Sequence, residues 1–82
     1  MTYLTKTKEN ETKVVYSYGK QEGEYIGSVS FEKDIRHISE GCFEFEYFNK
    51  NTFCRTTVNA VKAISSFIAK GEFPEHYLRA TH

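Results

Sequence analysis

Tryptophan is absent from this 82-residue chain, proline occurs once, cysteine twice and glycine five times. So little proline and glycine excludes a collagen-like or proline-rich chain. Two cysteines, Cys42 and Cys54, are too few for a disulfide framework, which makes a reducing, cytoplasmic setting the expectation. No apolar run approaches the roughly 20 residues of a membrane span. Residues 1–11 are polar and hold no apolar stretch of the secretory kind, so no cleaved leader is expected. Net charge is missing as well: eleven Lys and Arg balance eleven Asp and Glu. Zero net charge argues against broad binding to nucleic acid or to a membrane surface, which calls for a basic excess. It also leaves little colloidal repulsion to oppose self-association.

What the chain has instead is rings. Seven Phe and six Tyr exclude a disordered charged tail. They also compensate for shortness, because each ring brings more buried area than Leu or Val. A single domain over residues 1–82 is expected, burying roughly 60–65% of its unfolded surface and therefore only marginally stable.

The apolar period changes once, from two to about 3.6, near Thr56. Residues 1–11 read as a polar arm or sheet edge. Residues 12–18 read as a strand with Val14, Tyr16 and Tyr18 on one face and Lys13, Val15 and Ser17 on the other. The turn residues 19–23 lead to a second strand over 24–32, with Tyr25, Gly27, Val29 and Phe31 opposite Glu24, Ile26, Ser28, Ser30 and Glu32. A four-residue loop pairs Tyr18 with Tyr25, Tyr16 with Gly27 and Val14 with Val29, keeping apolar residues together. Tyr16 then lies over Gly27 and fills its missing side chain; a bulge at Gly27 is the alternative. Ile35 and Ile38 are placed to anchor one helical turn.

A third strand over 42–48 alternates most cleanly, with Phe43, Phe45 and Tyr47 inward and Glu44 and Glu46 outward. Residues 49–51 read as a hairpin loop with Asn51 left-handed, followed by a short return strand over 52–55 that sets Phe53 opposite Tyr47. A helix over 57–70 is capped by Thr56 or Thr57, buries Ala60, Val61, Ile64, Phe67 and Ile68, and stops at Gly71. In the tail, residues 71–82, Pro74 begins a second short helical turn, Tyr77 and Leu78 fold onto the sheet edge, and the last three residues fray. The whole is an α+β two-layer sandwich: a three- to four-stranded antiparallel sheet (12–55) followed by one C-terminal helix packed on one face.

The chemistry-bearing residues form no recognised motif. Cys42, Cys54, His37, His76 and His82 lack the spacing of a structural zinc site, so neither a metal nor another cofactor is expected. A Cys–His pair from that set lacks a helix N-terminus at the thiol; Cys54, beside Arg55, stands about two residues too early for a strong effect. There is no phosphate loop and no nucleophile elbow, and a sandwich this small has little room for a cleft around Glu44 and Glu46. The expectation is therefore no catalytic residues, no small-molecule substrate and no enzyme.

In element order alone, the chain resembles small DNA-binding domains of plant transcription factors and integrase arms, which lay an open sheet face in the major groove. Here that face carries Glu24, Glu32, Glu44 and Glu46, which phosphate repels, and lacks the exposed rings that stack RNA bases. Nucleic acid is thus not the expected partner of the sheet, although Lys50, Arg55, Lys62 and Lys70 leave a basic loop or helix surface as an alternative. The favoured reading is an interaction or self-associating module, a possible homodimer. Glu24, Glu32, Glu44 and Glu46 steer a basic protein partner, and Ile26 supplies apolar contact.

Overall fold

Period-two alternation of rings and small or charged residues builds the middle of the molecule, and one amphipathic helix covers part of it. The computed structural model describes residues 1–35 and 40–79. The elements run β1 (Thr2–Glu9), β2 (Lys13–Gly19), β3 (Gly27–Glu32), a 3-10 turn (Glu40–Cys42), β4 (Phe43–Tyr47), α1 (Arg55–Lys70) and β5 (His76–Arg79). They form one antiparallel sheet in the order β4-β3-β2-β1-β5. The α+β sandwich expected from the sequence is present, with five strands instead of three or four.

Both additional strands lie where the sequence reads as arm and tail. β1 is an interior strand between β2 and β5, not a polar arm. Its inward residues are Thr2, Leu4 and Lys6, opposite Arg79, Tyr18 and Tyr16 respectively, so Leu4 is its single apolar inward side chain. The ladder slips between Lys6 and Lys8, a bulge that breaks the period. Lys6 is 11% exposed at its side chain and tethers the C-terminal segment: its Nζ donates to Phe73 O (3.0 Å) and Glu9 Oε1 (2.6 Å), and its N–H to Glu75 O (2.8 Å). Tyr16 Oη donates to Pro74 O at 2.6 Å. These bonds tie residues 73–75 to β1 and β2, no helical turn forms at Pro74, and β5 is delivered to the edge of β1.

Glu9 completes this tether by accepting also from Lys33 Nζ at 2.8 Å. Hydrogen bonds from Lys33 and then Lys6 pull its carboxyl down from 4.5 to about 2. A depressed carboxylate pKa gives stability that is complete above the unfolded value and disappears as pH falls through the folded one. Acid denaturation followed by circular dichroism is therefore expected to weaken between pH 4.5 and about 2 in Glu9→Gln relative to the parent. An unchanged acid limb would remove Glu9 from this role.

The β2–β3 hairpin keeps the expected faces in a different register. Tyr18 pairs with Gly27, Tyr16 with Val29 and Val14 with Phe31. This is a shift of two residues, which changes partners without exchanging faces. The ring over Gly27 is accordingly that of Tyr18, whose Oη would lie 2.8 Å from a Cβ there. Ile26 N–H donates to Tyr18 O at 2.9 Å, so Ile26 and Gly27 both stand against Tyr18, the two-against-one arrangement of a bulge.

The expected return strand over 52–55 does not form. Asn49 and Lys50, not Asn51, take positive φ (52° and 63°), and the chain turns straight into α1. Cys54, not a threonine, is the N-cap. Thr57 sits at the third helical position, where its hydroxyl accepts from Cys54 N–H at 3.3 Å and lies 3.1 Å from Tyr18 Oη. Gly71 ends the helix as expected, its N–H bonding Ile68 O while that of Glu72 bonds Phe67 O, the double closure of a Schellman motif.

Helix α1 buries Ala60, Ala63, Ile64 and Phe67, mainly against β1, β2 and β5. The rings of β3 and β4 thus lie beside the helix and cover one another. Phe31 meets Phe43 at 6.0 Å, Phe43 meets Phe45 at 6.4 Å and Phe45 meets Tyr47 at 6.0 Å, with Phe73 and Phe53 closing over Phe31 and Phe45. Each such pair adds about 0.5–1.5 kcal/mol beyond its area. Ile38 lies outside the described residues; Ile35 packs against the core.

Candidate interaction face

The sheet face away from α1 is set by the same parity. β2 places Lys13, Val15 and Ser17 there, β3 places Ser28, Ser30 and Glu32, and β4 places Glu44 and Glu46. Glu32 stands opposite Lys13; Glu44 and Glu46 stand opposite Ser30 and Ser28. Short serines leave the Glu44 and Glu46 carboxylates clear of their neighbours on β3, and all three glutamates are exposed. A shallow cleft of about 330 Å³ runs between Lys13, Glu32 and Glu44.

Two of the five residues expected on this face are elsewhere. Ile26 packs against the core, because the extra residue opposite Tyr18 turns it inward. Glu24 lies in the β2–β3 connection, bridged to Gln21. That connection folds across the open face. The Glu24 carbonyl lies directly over Gly19, and Tyr25 Oη bonds Thr5 Oγ1 at 2.6 Å, leaving Ser17 buried.

The other end of the face belongs to β1 and β5, where Tyr3 pairs with Leu78 and Thr5 with His76. A cleft of about 300 Å³ lies there among Tyr3, Thr5, Glu22, His76 and Leu78, and Leu78 is 47% exposed. Tyr77 and Leu78 lie on the sheet edge as expected, but as a strand, and they pair with a β1 that the sequence does not show as an interior strand. The alternation of Tyr3 with Thr5 was the available signal.

Among the described residues, Cys42, Cys54 and His76 border three different clefts. Cys42 borders the cleft beside Glu44, whereas Cys54 borders another of about 370 Å³ with Lys20, Arg55 and Asn59. Burial pushes the Cys54 thiol up, but hydrogen bonds from Thr57 and Thr56 outweigh it and leave a net lowering. Cys54 is thus nearer the helix amides than its spacing suggested. Among the described residues no three His, Cys, Asp or Glu side chains gather as a metal site would require, and no helix is long and apolar enough to cross a membrane. His37 and His82 lie outside the described residues.

The basic residues Lys50, Arg55, Lys62 and Lys70 are all exposed, the last three on α1, which carries no acidic residue. No family model, curated protein or solved structure matches the chain.

Proposed function

We propose that this protein is a non-enzymatic interaction module that recognises a basic protein partner through the β3–β4 end of its open sheet face. The observation that carries this reading is the exposed trio Glu32, Glu44 and Glu46 on two strands that hold no cation, with Glu44 and Glu46 set opposite serines and only Glu32 opposite a lysine, Lys13 of β2. Like charges held together by a rigid sheet create a field that accelerates and orients encounter with a basic surface.

Calorimetric titration with a lysine octapeptide tests it. Binding is expected at low salt, weakening as salt rises, and Glu32→Gln/Glu44→Gln/Glu46→Gln is expected to reduce affinity by about tenfold or more. Equal affinity of parent and triple variant would overturn the reading. A second reading, nucleic-acid binding through α1, is favoured by one observation: Arg55, Lys62 and Lys70 on a helix without acids. It requires salt-sensitive retention on heparin that is lost in Lys62→Gln/Lys70→Gln.

A further inference from the structure

The outer edge of β4 offers a more specific site than the acidic face alone. β4 ends the sheet, so among the described residues nothing pairs with its far side. Phe48 N–H donates to Ile26 O at 3.0 Å. In the alternation of an antiparallel ladder, Glu44 and Glu46 therefore turn their backbone groups to β3, opposite Ser30 and Ser28. Phe43, Phe45 and Tyr47 turn theirs outward. The two sides of this edge differ chemically. Glu44 and Glu46 stand on one, and on the other Phe45, Tyr47 (36% exposed) and Phe53 (58% exposed) form an aromatic ledge that α1 does not cover.

We infer that β4 accepts an extended segment of a partner protein as a sixth strand, one alternating apolar and basic residues. This rests on the acidic face being an interaction surface and names the form of its partner. The apolar residues of the segment pair with Phe43, Phe45 and Tyr47, exchange backbone hydrogen bonds with them, and lie on the ledge. Its basic residues fall opposite Glu44 and Glu46. A second copy of the chain does not fit: pairing outward residues with outward residues sets Glu44 and Glu46 against the same carboxylates of the other β4, and directly opposed like charges are destabilising.

The test uses the full chain, 15N-labelled, and a seven-residue peptide alternating lysine and valine. Control peptides carry glutamate for lysine, or N-methylated valines that lack the N–H groups due to face β4. The lysine–valine peptide is expected to slow amide exchange at Phe43, Phe45 and Tyr47 by about tenfold or more. Either control peptide, or Glu44→Gln/Glu46→Gln in the protein, is expected to weaken binding by about tenfold.

Binding of the N-methylated peptide as tightly as the parent, with those three amides unprotected, would overturn strand addition and leave the acidic face as an interaction surface. No binding by any basic peptide would overturn both. Equal binding of the glutamate peptide would overturn the charge pattern. Amides already protected in a free protein that light scattering shows to be a dimer would assign the edge to a second copy and overturn the inference.

Discussion

Tyr16→Ala is expected to destabilise the fold by about 4 kcal/mol, the range found when a buried ring is truncated and its cavity stays open. Tyr16 is fully buried at the junction of every layer. Its ring stacks on Phe31 at 6.1 Å, meets Phe67 of the helix at 5.5 Å, and its hydroxyl holds the Pro74 carbonyl at 2.6 Å. A domain of this length has a total stability of about 4–12 kcal/mol, so the loss takes a large share of it, and the thermal midpoint should fall by about 15 °C or more. Tyr16→Phe separates ring from hydroxyl. It should cost about 1 kcal/mol and show first as faster exchange in β5, because the lost bond anchors the segment that delivers that strand. Urea denaturation of both variants measures the difference. A loss under about 1 kcal/mol for Tyr16→Ala would mean that the core is not organised around this ring.

The second large effect is expected at Gly19. A Cβ there would overlap the Glu24 carbonyl oxygen, with the Glu24 carbonyl carbon at 2.9 Å and Tyr25 Cα at 3.1 Å. All three atoms are backbone, so no side-chain rotation relieves the clash and the connection over residues 20–26 must lift. Lifting it also strains or breaks the Tyr25–Thr5 hydrogen bond. Overpacking and the lost bond together suggest about 3 kcal/mol for Gly19→Ala. Gly23→Ala is the control. That position has φ 80° and open space around it, so only backbone strain of about 1–2 kcal/mol is expected. If Gly19→Ala proves no worse than Gly23→Ala in urea, the connection does not lie across the open face as described.

Legibility in the sequence followed the chemistry of each strand's inward side. β2, β3 and β4 were readable because their inward positions are rings and valines. The same holds for α1, whose apolar stripe and Gly71 stop both appear in the structure. β1 was not readable, since its inward residues are Thr2, Leu4 and Lys6, and an inward lysine held by Phe73, Glu9 and the Glu75 backbone looks in one dimension like a solvated one. Its bulge then reverses the alternation that remained. β5 has four residues and exists through pairing with β1 at the opposite end of the chain, a partnership local periodicity does not encode.

Of the candidate face, Glu32, Glu44 and Glu46 were placed by parity alone. Ile26 was misplaced because a single extra residue at the strand entrance turns a side chain over. Cys54 reached the helix N-cap because α1 begins two residues earlier than its threonines suggested.

The proposed function requires that the acids of β3 and β4, not the cations of α1, meet the partner. Two-dimensional NMR of the labelled protein, titrated in parallel with the lysine octapeptide and with a short DNA duplex, compares the two surfaces directly. The expected result is peptide-induced shifts concentrated at Ser28, Ser30, Glu32, Glu44 and Glu46, with DNA leaving the spectrum unchanged at moderate salt. Shifts along Arg55, Lys62 and Lys70 with DNA, and none on β3 or β4 with peptide, would contradict it.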